Sequence, residues 1–121
     1  MRKGNSSDWF NVKHHLEEAL SYGYGLSDLD DVRHGLASGL FELWVGDNSA
    51  IVTQVIDTGR NKALLFYLAG GKLGEVKDMS EKLESLAKDT GCSKVLINGR
   101  AGWGKVLTGY KERTRVFEKE L

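Results

Sequence analysis

The segment best equipped for chemistry is rich in glycine and reads FYLAGGKLGEVKD at positions 66–78. A glycine-rich turn lets backbone N–H groups approach a phosphate closely, because glycine carries no Cβ. A helix that follows such a turn adds the positive end of its dipole. The candidate anion-binding residues are Leu68, Ala69, Gly70, Gly71, Lys72 and Gly74. A plain structural turn is the competing interpretation, and the negative charges of Glu75 and Asp78 favour it, although two lysines offset part of that charge.

A second candidate for anion binding is Arg100, which lies in a loop between Gly99 and Gly102. A guanidinium group can bind a phosphate or a carboxylate through two parallel hydrogen bonds. The simpler interpretation is a surface arginine in solvent.

The residues that could bind a metal ion or act as a nucleophile are poorly spaced for either task. His14 and His15 are adjacent, so their side chains point to different faces of a helix and cannot share one metal ion in regular geometry. Cys92 has no neighbouring histidine to activate it, and we expect a small buried hydrophobic residue. The acidic residues 28–31 could attract a cationic amine, but they also suit the first turn of a helix. No metal site is predicted, and no catalytic residue is assigned.

The composition limits the classes of partner. The chain has 121 residues with 17 basic and 17 acidic side chains, so it lacks the basic footprint of a nucleic-acid-binding protein. A net charge of zero favours self-association, and a homo-oligomer is compatible with it. The sequence shows neither a signal peptide nor an apolar run of membrane-spanning length, which predicts a cytoplasmic protein. The length predicts one domain over residues 1–121.

Periodicity and turn residues predict two helices followed by three strands. Ser7 is the expected cap of the first helix, and a second helix is expected after Ser27, with Asp30 completing its cap and Gly39 ending it. Three runs rich in β-branched and aromatic residues then predict an antiparallel meander. These strands are Leu40–Val45, Ala50–Ile56 and Ala63–Leu68.

The second half of the chain alternates helices and strands. Asp78 and Glu81 form a capping-box pattern, which predicts a helix at Asp78–Thr90 that stops at Gly91 and leaves residues 72–77 as a loop. The remaining predicted elements are a strand at Ser93–Ile97, a short helix at Trp103–Thr108 and a strand at Thr114–Glu118. The order α-α-β-β-β-α-β-α-β predicts an α/β (α+β) fold with a mainly antiparallel sheet flanked by helices.

From residue 40 onward, this order resembles the GCN5-related N-acetyltransferase (GNAT) fold. The segment NGRAGWGKVLTGYKERTRVFEKEL, at positions 98–121, is also similar to the end of small GNAT-like proteins from bacteriophages and prophages. In that family, the connection from the fourth strand to the next helix holds the pyrophosphate of acetyl-CoA. The pantetheine arm lies where the fourth and fifth strands separate.

The resemblance implies an acyltransferase that uses acetyl-CoA and a primary amine on a small molecule or a protein. It implies that Leu68, Ala69, Gly70 and Gly71 contact the cofactor, with Asn98 as a further contact because the family often has an asparagine there. The alternative is a non-catalytic protein of the same fold, which serves as a virion, assembly or accessory binding protein beside phage structural proteins. That alternative places the protein in the host cytoplasm or in the virion.

Two departures from the family pattern favour the non-catalytic alternative. The family's phosphate loop has Gln or Arg, two residues, Gly, one residue, and then Gly or Ala. If Gly71 is the first glycine of that pattern, Leu68 and Leu73 occupy the other two positions and do not match it. If Gly74 is the first glycine, the sequence does not match the pattern either. The position of the family's catalytic tyrosine holds Lys105 if Gly109 and Tyr110 form its Gly-Phe pair. The family's first strand also has no counterpart in the sequence, because helices are expected to open the chain.

Overall fold

One five-stranded sheet organises the protein. The computed structural model describes residues 1–21, 28–97, 107, 109–111, 113 and 117–121. The strands are β1 (Arg2–Lys3), β2 (Glu42–Val45), β3 (Ser49–Asp57), β4 (Lys62–Gly71) and β5 (Lys94–Ile97), and they lie side by side in that order. Neighbouring strands run antiparallel, except that β5 runs parallel to β4. The predicted fold class, a mainly antiparallel sheet with flanking helices, is confirmed.

Helices cover both faces of the sheet, and the sheet separates the core into two clusters. Helix α1 (Trp9–Leu20) and helix α2 (Leu29–Ser38) lie on one face, and helix α3 (Leu73–Asp89) lies on the other. Alternate residues of β3 point to opposite faces, as the pleat requires. Val52 therefore packs with α1 and α2, whereas Ile51 packs with α3.

The first strand is a structural feature that the sequence did not indicate. β1 contains two residues, and Arg2 and Lys3 pair with Val45 and Trp44 of β2. The guanidinium of Arg2 donates two hydrogen bonds to the Asp8 carboxylate, one of them 2.8 Å long. So short a strand has no alternating pattern, and contacts with the rest of the fold hold it in place. The expectation that helices open the chain is wrong.

The helix caps differ from the predicted ones by one or two residues. Asn5, rather than Ser7, caps the short 3-10 turn (Ser6–Asp8) that leads into α1. At α2, Asp28 and Asp31 form the capping box, because each carboxylate accepts the other residue's backbone N–H at 3.0 Å. The prediction that Gly39 ends α2 is confirmed by its left-handed backbone, with φ at 82°.

The connection between β4 and α3 is much shorter than predicted. β4 continues through Gly71, and α3 begins at Leu73, so Lys72 alone joins them. Asp78, the predicted cap, lies inside α3. The capping-box pattern misled the prediction because the true start, at Lys72, carries no capping side chain among the described residues.

The elements after α3 are confirmed as far as the structure describes them. α3 ends at Asp89, and Gly91 follows with φ at 88°. β5 matches the predicted strand within one residue. The predicted helix at Trp103–Thr108 and strand at Thr114–Glu118 lie largely outside the described residues and stay predictions.

Candidate active site

A bulge in β4 marks the centre of the candidate site. Val52 of β3 pairs with Leu68, but the next residue, Thr53, pairs with Phe66, so Tyr67 is an extra residue in β4. A bulge bends its strand and increases the local twist. The Tyr67 ring stacks on Phe41 with the ring centroids 4.6 Å apart, which fixes the bulge against the α1 and α2 layer.

The described pairing of β4 with β5 extends as far as this bulge. The last paired residues are Phe66 and Ile97, whereas β4 continues for five more residues, to Gly71. Within the described part of the chain, this stretch of β4 has a strand partner only on its β3 side. The bulge at Tyr67 therefore adjoins the last described pair of β4 and β5, and the end of β4 leads directly to the start of α3.

Two of the three glycines in this region are needed by the fold. A Cβ at Gly70 would overlap the carbonyl oxygen of His15, so Gly70 allows α1 to lie close against β4. Gly71 has φ at 115°, and a Cβ there would overlap the backbone of Asn48 and Ser49. Both glycines are explained by packing and backbone conformation alone.

Gly74 is different, because no described feature of the fold requires glycine there. It lies in the first turn of α3 without a positive φ, and no heavy atom of the described residues lies within 4 Å of the place that its Cβ would take. Glycine inside a helix costs roughly 0.5–1 kcal/mol of stability relative to alanine. Glycine at position 74 leaves the backbone uncovered by a side chain at the start of a helix of 17 residues.

The first turn of α3 offers backbone donors. The Lys72 N–H already donates to the Asn48 carbonyl at 3.1 Å, and the first bond of the helix runs from the Val76 N–H to the Lys72 carbonyl at 2.9 Å. The N–H groups of Leu73, Gly74 and Glu75 lie before that bond, so the helix itself provides no acceptor for them. No described side chain caps them.

Glu75 anchors this helix start to the turn between β2 and β3. Its carboxylate accepts hydrogen bonds from the Ser49 hydroxyl and from the Asn48 N–H, the latter at 2.8 Å. These bonds, led by that from Ser49, hold the pKa of Glu75 below its usual range. The carboxylate is therefore ionised at neutral pH and is occupied by the hairpin.

His15 lies at the same end of β4, a position that no sequence pattern indicates. Its carbonyl oxygen borders Gly70. Burial, followed by the neighbouring His14, lowers the pKa of the His15 imidazole, while Glu18 and Glu75 act in the opposite direction. The imidazole is therefore neutral near pH 7. Sequence spacing could not reveal this residue, because α1 reaches the end of β4 only in the folded chain.

The structure brings most of the predicted site residues together. Leu68, Ala69, Gly70 and Gly71 form the last part of β4, Lys72 follows them, and Gly74 lies in the first turn of α3. The strand assignment corrects the prediction that Gly70 and Gly71 form a turn. Asn98 and Arg100 lie outside the described residues and remain predicted contacts.

Other candidate groups lie apart from this site or have structural roles. The Tyr110 hydroxyl donates to Glu84 of α3 at 2.8 Å, and burial, aided by Glu84, raises its pKa. The acidic residues Asp28 and Asp31 cap α2, in agreement with the structural interpretation of that cluster. Among the described residues, no group of three or more His, Cys, Asp or Glu side chains could hold a metal ion. Within the same part of the chain, no helix is both long and apolar enough to cross a membrane.

The overall shape matches solved acetyltransferase structures. A GNAT family acetyltransferase from Staphylococcus aureus superposes with a TM-score of 0.64 at 16% identity, over 99% of this chain and 96% of that one. An aminoglycoside acetyltransferase from an uncultured soil metagenomic sample gives 0.66 at 10% identity, over 95% and 89%. A Trypanosoma brucei acetyltransferase gives 0.62 at 14% identity, over 99% and 97%.

This protein has the GNAT fold. No protein-family model matches its sequence, and no curated protein matches it at the sequence level. The likeness therefore lies in the fold alone, since the identities to the solved structures lie at 16% or below for these three. The chain also opens with a strand, β1, which the sequence had not indicated.

The described residues fit the part of acetyl-CoA that a GNAT fold holds beside its fourth strand. The last part of β4, from Leu68 to Gly71, would lie beside the pantetheine arm. The space over Gly74 leaves room for a phosphate at the three N–H groups of the α3 start. The fit differs from the family pattern in one respect, because a single residue, Lys72, replaces the usual glycine-rich loop.

Proposed function

We propose that this protein is an acyltransferase that takes an acetyl group from acetyl-CoA and passes it to a primary amine. The observation that carries the proposal is the start of α3 at the end of β4, where the N–H groups of Leu73, Gly74 and Glu75 have no helical acceptor and no described capping side chain. A helix start of this kind can bind an anion such as a phosphate of acetyl-CoA.

Each part of the site has a role in this proposal. When bound, acetyl-CoA supplies an acyl group activated as a thioester. Backbone N–H groups of β4 near the bulge would polarise the thioester carbonyl, as preorganised donors do in other acyl transfers. The N–H groups of Leu73, Gly74 and Glu75 would bind phosphate. Positioning of the two reactants supplies much of the remaining rate enhancement.

The acceptor and the general base are not assigned. A primary amine on a small molecule and one on a protein are both compatible with the site. Glu75 is a poor base, because its carboxylate is held by Ser49 and Asn48 and its pKa is lowered.

Calorimetric titration with acetyl-CoA tests the proposal. We expect a dissociation constant below about 1 mM, which corresponds to about 4 kcal/mol of binding free energy. Release of free thiol in the presence of a panel of amines measures the transfer itself. Failure of acetyl-CoA to bind or to raise the melting temperature at millimolar concentration would refute the proposal.

A non-catalytic role is the second candidate, and the single-residue link between β4 and α3 favours it. A GNAT shell can fold without cofactor chemistry, because fold and activity are separable. In this case the partners would be structural proteins, such as those of a phage particle. Binding of acetyl-CoA without any amine-dependent thiol release would support this candidate over an enzyme.

A further inference from the structure

We propose that Phe41 is a positioning residue, which holds the bulge of β4 where its backbone N–H groups can donate to the carbonyl of the acyl donor. This inference rests on the proposed function and deepens it, because it makes the polarisation of the thioester depend on a residue outside β4. Phe41 acts through the ring of Tyr67, on which it stacks, and does not itself contact the acyl donor.

The bulge places two consecutive side chains of β4 on the same face of the sheet. Tyr67 and Leu68 both pack with the α1 and α2 cluster. Phe66 and Ala69, on either side of them, pack with the α3 cluster. Neighbouring residues of a regular strand alternate between the two faces, so this pair marks the bulge. Packing on the α1 and α2 side therefore determines where the extra residue of β4 lies.

On that side of the sheet, the ring of Phe41 supports the ring of Tyr67. The two ring planes are inclined by 22° and their centroids are 4.6 Å apart, which is a stacked arrangement. Aromatic rings in such contact attract each other beyond the burial of their surfaces. Phe41 is only 8% exposed, so it has little freedom to follow a displaced Tyr67.

Phe41 is itself held against α2. Its backbone N–H donates to the carbonyl of Gly35 at 3.0 Å, and its ring fills the place that a Cβ on Gly35 would take. Gly35 lies inside α2, where glycine costs stability relative to alanine, and the close approach of Phe41 explains it. Contacts therefore run from the backbone of α2, through two aromatic rings, to the bulge of β4.

A fixed bulge matters because a hydrogen bond to a carbonyl weakens steeply as its distance and angle depart from the optimum. Donors that are already in place need no rearrangement when charge develops on the carbonyl oxygen. Leucine at position 41 would remove the ring face and leave a space beside Tyr67. We expect Tyr67 to relax into that space and to turn the bulge donors away from the acyl carbonyl.

Infrared spectroscopy of bound acetyl-CoA, isotope-labelled at the thioester carbonyl, measures this polarisation. Hydrogen bonds to a carbonyl weaken its C=O bond and lower its stretching frequency. We expect binding to the unsubstituted protein to lower the frequency relative to free acetyl-CoA, and binding to Phe41→Leu to lower it by roughly half as much or less. The dissociation constant of acetyl-CoA, measured by calorimetry, should change by less than about threefold, because the start of α3 is unaltered.

Further variants separate positioning from a general loss of packing. Tyr67→Leu should reduce the frequency shift as Phe41→Leu does, and the double variant should reduce it no further, because the two residues act as one unit. Val12→Ala removes buried volume from the same cluster but no ring, so it is the matched control and should keep the full shift. If Phe41→Leu does not fold, Phe41→Met fills more of the space without a ring and carries the same expectation.

The failures of the two proposals are distinguishable. If acetyl-CoA at millimolar concentration does not bind to the unsubstituted protein, the proposed function and this inference both fail. If acetyl-CoA binds but its carbonyl frequency stays that of the free molecule, the inference fails and the binding stands. The inference alone is wrong if Phe41→Leu keeps the full shift, if Val12→Ala loses as much of it, or if the effects of Phe41→Leu and Tyr67→Leu add in the double variant.

Discussion

Replacement of Gly74 by alanine should stabilise this protein, whereas the same replacement at Gly71 should destabilise it. Gly74 lies in the first turn of α3, and the added methyl group meets no neighbour among the residues that the structure describes. The gain is the helix-propensity difference between alanine and glycine, about 0.5–1 kcal/mol. For a chain of this size, the corresponding rise in melting temperature is roughly 2–5 °C.

At Gly71 the same methyl group meets two penalties. A side chain at φ near 115° is strained, which costs about 1–2 kcal/mol. The methyl group would also overlap the backbone of Asn48 and Ser49, and relief of such overpacking costs roughly 1–3 kcal/mol. The sum, about 2–5 kcal/mol, is a large part of the total stability of a small domain.

Urea denaturation of both variants measures these differences directly, and a calorimetric titration with acetyl-CoA follows on Gly74→Ala. We expect this more stable variant to bind the ligand more weakly, because its methyl group enters the space over the phosphate donors. A loss of stability in Gly74→Ala would refute the account of the helix start. If Gly74→Ala binds acetyl-CoA as tightly as the unsubstituted protein, the proposed contact between the phosphate and the backbone at Gly74 is refuted.

Three further predictions concern ionisable side chains. Hydrogen bonding to Arg2 lowers the pKa of Asp8 to about 2, whereas the pKa of an unfolded aspartate lies near 3.9. The ionised Asp8 therefore stabilises the fold above the unfolded pKa, and this stabilisation is lost as the pH falls towards 2. Asp8→Asn should flatten that part of an acid-denaturation curve. The pKa of His15 should lie below 6.5 in an NMR titration, and a value above 6.5 would contradict its burial. Tyr110→Phe should lower the free energy of unfolding by about 1 kcal/mol, because the bond to Glu84 is lost, and an unchanged urea midpoint would contradict that contact.

Much of the fold follows from local sequence patterns. The meander strands and β5 were predicted within a few residues, since β-branched and aromatic residues at these positions suit a pleated, half-buried surface. The stops of α2 and α3 were also predicted, because a glycine after the last helical residue adopts the left-handed conformation at little cost.

The start of α3 could not be predicted from local patterns. Asp78 and Glu81 imitate a capping box inside the helix, while the real start lacks a capping side chain among the described residues. The helix begins at Leu73 because Lys72 is bound to Asn48 and Glu75 to Ser49, and both partners come from the distant β2–β3 turn. Contacts of this kind are not encoded in the neighbouring sequence.

The sequence by itself determined that this glycine-rich segment lies between a strand and a helix, where a GNAT fold binds its cofactor. It could not distinguish the three glycines, because each is the same residue in the same short segment. The tertiary structure distinguishes them by their surroundings: α1 lies against Gly70, the β2–β3 turn lies against Gly71, and open space lies over Gly74. The physical reason is that steric room around a backbone atom depends on elements distant in sequence. The candidate phosphate site therefore depends on Gly74 and the first turn of α3.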